Sequence, residues 1–106
     1  MGFFDFRKGP DINQGVKTFG STEGAVLLDV RTPEEYRQGH IPGSCNIPLQ
    51  TLGDVAAQIP DRDTPLFVYC RSGNRSAQAA RLLNGMGYAN VTDIGGITAY
   101  SGRVER

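Results

Sequence analysis

Tryptophan is absent from this chain of 106 residues, histidine occurs once and cysteine only twice. So few histidines and cysteines leave no zinc-binding spacing. Cys45 and Cys70 form neither a CxxC pair nor the start of a disulfide framework. Net charge is also missing, with 11 basic residues against 11 acidic ones. No global field draws the chain to nucleic acid or to anionic lipid, and any positive charge that matters is local. No apolar run is long enough for a signal peptide or a membrane span. These absences predict a cytoplasmic protein in a reducing compartment, with no nucleic-acid or membrane partner and no metal.

The length suits one domain with a single core. Residues 1–10 read as an N-terminal arm, and residues 11–106 as the domain. The arm holds Phe3, Phe4 and Phe6. Gly2 resembles a myristoylation start, but Phe6 stands where Ser or Thr is wanted, which argues against lipidation. An aromatic arm packed on the domain is the plain reading, and a docking peptide for a partner is the other.

Periodicity predicts alternating strands and helices. Ala25 to Val30 and Leu66 to Tyr69 are almost continuous apolar runs, as expected of strands covered on both faces. Between them Thr32-Pro33-Glu34-Glu35 makes a capping box with proline at the first helical position, and Gly39 stops a helix at about Gln38. Ile41-Pro42-Gly43 is a turn, and Cys45-Asn46-Ile47 a short strand. Thr51 to Asp54 repeats the capping pattern, with Leu52, Val55, Ala56 and Ile59 on one face up to Pro60. A helical pattern from Ser76 places Ala79, Leu82, Leu83 and Met86 on its buried face and ends at Gly87. Val91 to Ile94 is a further strand, and Gly95-Gly96 after it allows close backbone approach. Ile12 to Phe19 is weakly helical. The alternation defines an α/β domain with a mainly parallel sheet, whose ligand crevice lies beyond the carboxyl ends of its strands.

Cys70 stands at such an end, followed by Arg71-Ser72-Gly73-Asn74-Arg75-Ser76. A thiol, a tight turn and a helix start aim free backbone N–H groups at an anion on the sulfur, and two arginines add charge. This setting favours a thiolate nucleophile. Gly73 and Asn74 suit positive φ angles, so their role is conformational. Arg71 reads as an anion contact. Arg75 suits either an anion contact or a structural bond holding the loop. Asp29 and Arg31, at the end of a buried strand, read as structural charges that need hydrogen-bonded partners, with Glu35 as one of them. His40 reads as a structural hydrogen-bonding residue rather than half of a Cys/His dyad. Cys45 reads as a small buried filler, with a resolving thiol as the alternative.

Four segments in order carry a resemblance to the rhodanese (sulfurtransferase) family in its single-domain form. They are Leu28-Asp29-Val30-Arg31 with Glu35-Tyr36; Gly39-His40-Ile41-Pro42-Gly43-Ser44 with Asn46-Ile47-Pro48; Val68 to Ser76; and Gly95-Gly96. Tyr100 departs from the family, which often has Trp there. The resemblance implies about five parallel strands flanked by helices and transfer of sulfane sulfur through a persulfide on Cys70. The loop Arg71 to Ser76 would line the anion pocket. It further implies a small sulfur-containing anion such as thiosulfate as donor, cyanide, a thiol or a protein as acceptor, and no cofactor. A cysteine phosphatase or arsenate reductase resembles Cys-x5-Arg, whereas four residues separate Cys70 from Arg75 here. A non-catalytic interaction module is the rival from another class.

Overall fold

The computed structural model describes residues 9–106; the aromatic residues expected in the N-terminal arm lie outside that range. Helix α1 (Ile12–Gly20) is capped by Asp11, whose carboxylate accepts from the N–H groups of Asn13 and Gln14. Strand β1 (Val26–Asp29) leads to α2 (Pro33–Gln38) and β2 (Ser44–Asn46). A 3-10 stretch (Leu49–Asp54) runs into the short α3 (Val55–Gln58), followed by β3 (Leu66–Cys70) and α4 (Asn74–Gly85). Strand β4 (Val91–Gly96) and a 3-10 turn (Ile97–Ala99) complete the order.

The sheet is parallel with order β2-β1-β3-β4. Among the described residues it has four strands, one fewer than the resemblance implied; every strand expected from the residues themselves is present. Side chains alternate across a strand, so neighbouring residues feed opposite faces. Leu28, Val30, Leu66, Val68 and Cys70 join Val55, Ala79, Leu83 and Tyr88 under α3 and α4. Leu27, Phe67 and Tyr69 join Ile12 and Ile94 under α1. A β-carbon on Gly15 would collide with the side chain of Ile94, so this glycine lets α1 lie close on β4.

Three local expectations are corrected. Thr51 and Asp54 form no capping box: Thr51 has non-helical backbone angles, φ −121° and ψ 31°, and its hydroxyl turns back to the Pro48 carbonyl. The turn that follows Pro48 takes these residues into 3-10 geometry before a regular helix begins. Of that predicted face, Leu52 and Val55 are buried, while Ala56 and Ile59 are only partly so. In α4, Leu82 is 47% exposed although its spacing placed it inside. The helix also starts two residues earlier than expected, at Asn74.

Candidate active site

The parallel sheet brings the carboxyl ends of β1, β3 and β4 to one edge, and the loops that follow them form the site. Cys70 ends β3 with 1% of its surface exposed. Its Sγ accepts the Gly73 N–H at 3.0 Å, which closes the loop back onto the sulfur. Gly73 has φ +106°, open to glycine and strained for other residues, and serves as the N-cap of α4. No side chain caps that helix, so the N–H groups of its first turn stay available to an anion. Asn74 is the first helical residue and does not have the positive φ expected of it, because Gly73 alone supplies the reversal.

Gly96 forms the floor under this loop. A β-carbon there would overlap the Arg71 carbonyl oxygen and lie 2.6 Å from Ser72 Cα, so the backbones of β4 and the loop touch only because the residue is glycine. Ser76 is fully buried, and its hydroxyl lies 2.7 Å from Asp93 Oδ1, which it donates to, and 3.1 Å from the Gly73 carbonyl. The same Asp93 oxygen accepts the Gly95 N–H at 3.0 Å. Ser76 therefore ties α4 to β4 through its side chain. Ser72 and Arg71 are exposed. The Arg71 carbonyl accepts from the N–H and hydroxyl of Thr98, both at 3.2 Å.

Arg75 binds Glu35 rather than open solvent. The fork is bidentate, with Nη1 to Oε1 at 2.7 Å and Nη2 to Oε2 at 3.0 Å. Of its two open readings, this geometry realises the structural bond. Glu35 also closes the predicted capping box of α2, accepting the Thr32 N–H at 2.9 Å while the Thr32 hydroxyl accepts the Glu35 N–H. One carboxylate thus joins the start of α2 to the start of α4. The hydrogen bonds from Arg75, then that from the Thr32 backbone, overcome partial burial and hold the Glu35 carboxyl down at about 2. The same pair raises Arg75.

Asp29 and Arg31 pair with each other, not with Glu35. Arg31 Nη2 lies 2.7 Å from Asp29 Oδ2 and 2.8 Å from the Gly39 carbonyl, and Asp29 Oδ1 accepts the Arg31 N–H at 2.9 Å. Burial works against the Arg31 charge, but the hydrogen bond and charge of Asp29 outweigh it and raise the guanidinium. Asn46, quoted in the sequence but given no role there, clamps the same corner by donating to the carbonyls of Asp29 and Arg31, both at 2.9 Å. His40 stacks on Tyr36 with centroids 3.7 Å apart, and its Nδ1 donates to the Tyr36 carbonyl at 2.8 Å. Its backbone exchanges two hydrogen bonds with Glu105, each 2.8 Å, which brings the C-terminal residues against the end of α2.

Cys45 pairs across β1 with Leu28, which pairs in turn with Val68. Two strand spacings of about 4.8 Å put Cys45 about 10 Å from the level of Val68, beyond the roughly 7 Å limit for a disulfide. Cys70 lies further along still. Burial, then the charge of Asp29, pushes the Cys45 thiol up, which works against its thiolate form.

Features without a sequence signal include Tyr69, whose hydroxyl accepts the Ile41 N–H at 3.1 Å and donates to Ser44 at 3.2 Å. Burial of the phenol is the main reason its titration is pushed up. A depression of about 210 Å³ with both polar and apolar walls lies beside the loop, with Arg71, Ile97 and Val104 among its lining residues.

A match to the Rhodanese-like domain model spans residues 15–103. The thiosulfate sulfurtransferase PspE of Escherichia coli is 42% identical over 71 residues, covering 66% of this chain and 68% of that one. The adenylyltransferase and sulfurtransferase uba4 of Ogataea parapolymorpha is 35% identical over 96 residues, or 90% of this chain but 25% of the relative. In that comparison the chain matches one part of a much longer protein. A solved structure described as a rhodanese with anions from E. coli superposes with a TM-score of 0.72 at 36% identity, covering 77% of this chain and 98% of that one. The chain belongs to the rhodanese-like domain family. Within it, the chain is a rhodanese-type sulfurtransferase, which by class needs a sulfur donor and a sulfur acceptor.

Proposed function

We propose that this protein accepts sulfane sulfur from thiosulfate or a similar anion as a persulfide on Cys70 and passes it to a thiophilic acceptor such as cyanide, a thiol or a protein. The carrying observation is the closed cradle, with Cys70 Sγ under the Gly73 N–H at 3.0 Å and an uncapped α4 start behind it. In the first half-reaction the thiolate attacks the outer sulfur of thiosulfate. The Sγ–S bond forms as the S–S bond of the donor breaks, and sulfite leaves with the electron pair. The loop N–H groups, fixed before the reaction, stabilise charge on the outer persulfide sulfur. Arg71 is the loop cation available to the donor anion, while Arg75 holds the loop in place through Glu35. A cysteine that is 1% exposed suits a reagent presenting one protruding sulfur atom.

Residues 11–106 constitute the catalytic domain and residues 1–10 an arm. Two free thiols fit the reducing cytoplasm. No helix among the described residues is long and apolar enough to cross a membrane. A phosphatase reading loses its one signature arginine as well as its spacing, since Arg75 is committed to Glu35.

The test is intact mass spectrometry of the reduced protein after thiosulfate, then thiocyanate assay after cyanide, with Cys70→Ser in parallel. A gain of one sulfur, released by cyanide and absent from the variant, is expected. An unchanged adduct in Cys70→Ser, or no adduct with any sulfane donor, overturns the reading.

A further inference from the structure

Asp93 stands outside the loop that cradles Cys70, yet one of its oxygens bonds to two of the elements that shape that loop. Strand β4 slips register once against β3: Val68 faces Asp93, while the next residue, Tyr69, faces Gly95. Ile94 is therefore the extra residue of a bulge, and the slip brings Gly96 opposite Cys70. Asp93 Oδ1 accepts the Gly95 N–H at 3.0 Å across this bulge, where Gly95 takes φ +99°. The carboxylate thus pins the bulge, and with it the place where Gly96 meets the backbone of Arg71 and Ser72.

The same oxygen reaches helix α4. Ser76 Oγ lies 2.7 Å from Asp93 Oδ1, 3.1 Å from the Gly73 carbonyl and 3.4 Å from the Gly95 carbonyl, but a hydroxyl has one proton to give. The nearest acceptor is also the charged one, so the proton goes to Asp93. The Gly73 carbonyl takes the Ala77 N–H at 3.1 Å instead. Ser76 lies in the first turn of α4, whose N–H groups no side chain caps, and the N-cap Gly73 donates to Cys70 Sγ. Asp93 Oδ1 is thus bonded at once to the floor of the cradle and to the helix that closes it.

We propose that Asp93 is a positioning residue for sulfur loading: by holding the β4 bulge and the Ser76 hydroxyl on a single oxygen, it sets the spacing between the Gly96 floor and the α4 N–H groups that receive the sulfur's charge. The inference rests on the Cys70 persulfide reading and adds to it a residue outside the Cys70 loop. Donors fixed before the reaction stabilise developing charge only where they are aimed at it, so loosening the bridge slows the transfer itself. Binding of the donor anion, which falls to Arg71, is spared.

Loading is timed by intact mass in stopped samples of reduced protein over a range of thiosulfate concentrations. The proteins are the parent, Asp93→Ala, Asp93→Asn, Ser76→Ala and the double variant Asp93→Ala with Ser76→Ala, each checked for folding by urea titration. Asp93→Ala and Ser76→Ala are each expected to lower the limiting loading rate about five- to tenfold, with half-saturating thiosulfate within about twofold of the parent. A mere loss of folded protein lowers the amount loaded and leaves the rate alone. The double variant is no slower than the slower single one, because the two changes remove one bond from its two ends. Asp93→Asn keeps an oxygen for both donors and restores the rate to within about threefold of the parent. No loading in the parent overturns the persulfide reading and this inference together. With the parent loading, a parental rate in folded Asp93→Ala, multiplied effects in the double variant, or Asp93→Asn as slow as Asp93→Ala overturns the role of Asp93 alone. Where Asp93→Ala does not fold, Ser76→Ala carries the test, and a parental rate in it overturns the inference.

Discussion

Replacing Glu35 by Gln separates the start of α2 from the start of α4 while preserving shape. Taking a carboxyl from its usual 4.5 to about 2 corresponds to about 3 kcal/mol at roughly 1.4 kcal/mol per pKa unit. The side chains of Arg75 and Glu35 are 30% and 24% exposed, so solvent screening reduces the expected loss to about 1–2 kcal/mol. For a domain of this size that is a drop in Tm of about 5–15 °C. The pH dependence is fixed by the sign of the shift. Because the folded carboxyl titrates below the unfolded one, its stabilisation is complete above about 4.5 and is lost as pH falls through about 2. Urea titrations of parent and Glu35→Gln should therefore differ most at neutral pH and converge steadily between pH about 4.5 and about 2. A variant within about 0.3 kcal/mol of the parent at pH 7, or a gap that does not narrow in acid, would refute the account of the pair.

Asp29→Asn should destabilise by about 3–5 kcal/mol in urea, because Arg31 is then a buried cation without its counter-charge; a loss below about 1 kcal/mol would contradict this. Gly96→Ala should slow sulfur loading at least about tenfold, since the new methyl group displaces the Arg71 and Ser72 backbone that shapes the cradle. Stopped samples analysed by intact mass read this directly, and normal loading in a folded variant would count against the floor role of Gly96. Cys45→Ser should still take up one sulfur from thiosulfate, and stoichiometric loss of that adduct would show that the second thiol takes part.

Local grammar was readable from the sequence, and contacts between distant residues were not. The Thr32–Glu35 capping box is a relation within four residues and the Gly39 stop a glycine at a helix end, and both were legible in the residues, whereas Asp29 and Arg31 were legible as buried charges needing partners but not as partners of each other. The Arg75–Glu35 fork spans 40 positions, so the sequence left the role of Arg75 open. Thr51 and Asp54 show the limit of a motif: the turn after Pro48 imposed 3-10 geometry on residues that match a capping pattern. Leu82 shows the limit of periodicity, because α4 buries a narrow stripe through Ala79 and Leu83 against the sheet and leaves the residue just before Leu83 in water. Cys70 and its loop were found because strand, thiol, glycine and helix are consecutive. The depression beside the loop joins Arg71 to Val104 across the fold, and no spacing announced it.

All four strands among the described residues run the same way, so the sheet has one end that carries Cys70 and one that does not. The segments entering β1, β3 and β4, around residues 21–25, 61–65 and 87–90, lie at the end opposite Cys70. Lengthening or rewriting them changes linkers remote from the Cys70 loop. That edge is where an affinity tag, a fluorophore or a fused domain can be inserted internally, leaving the sulfur carrier free to face its donors and acceptors.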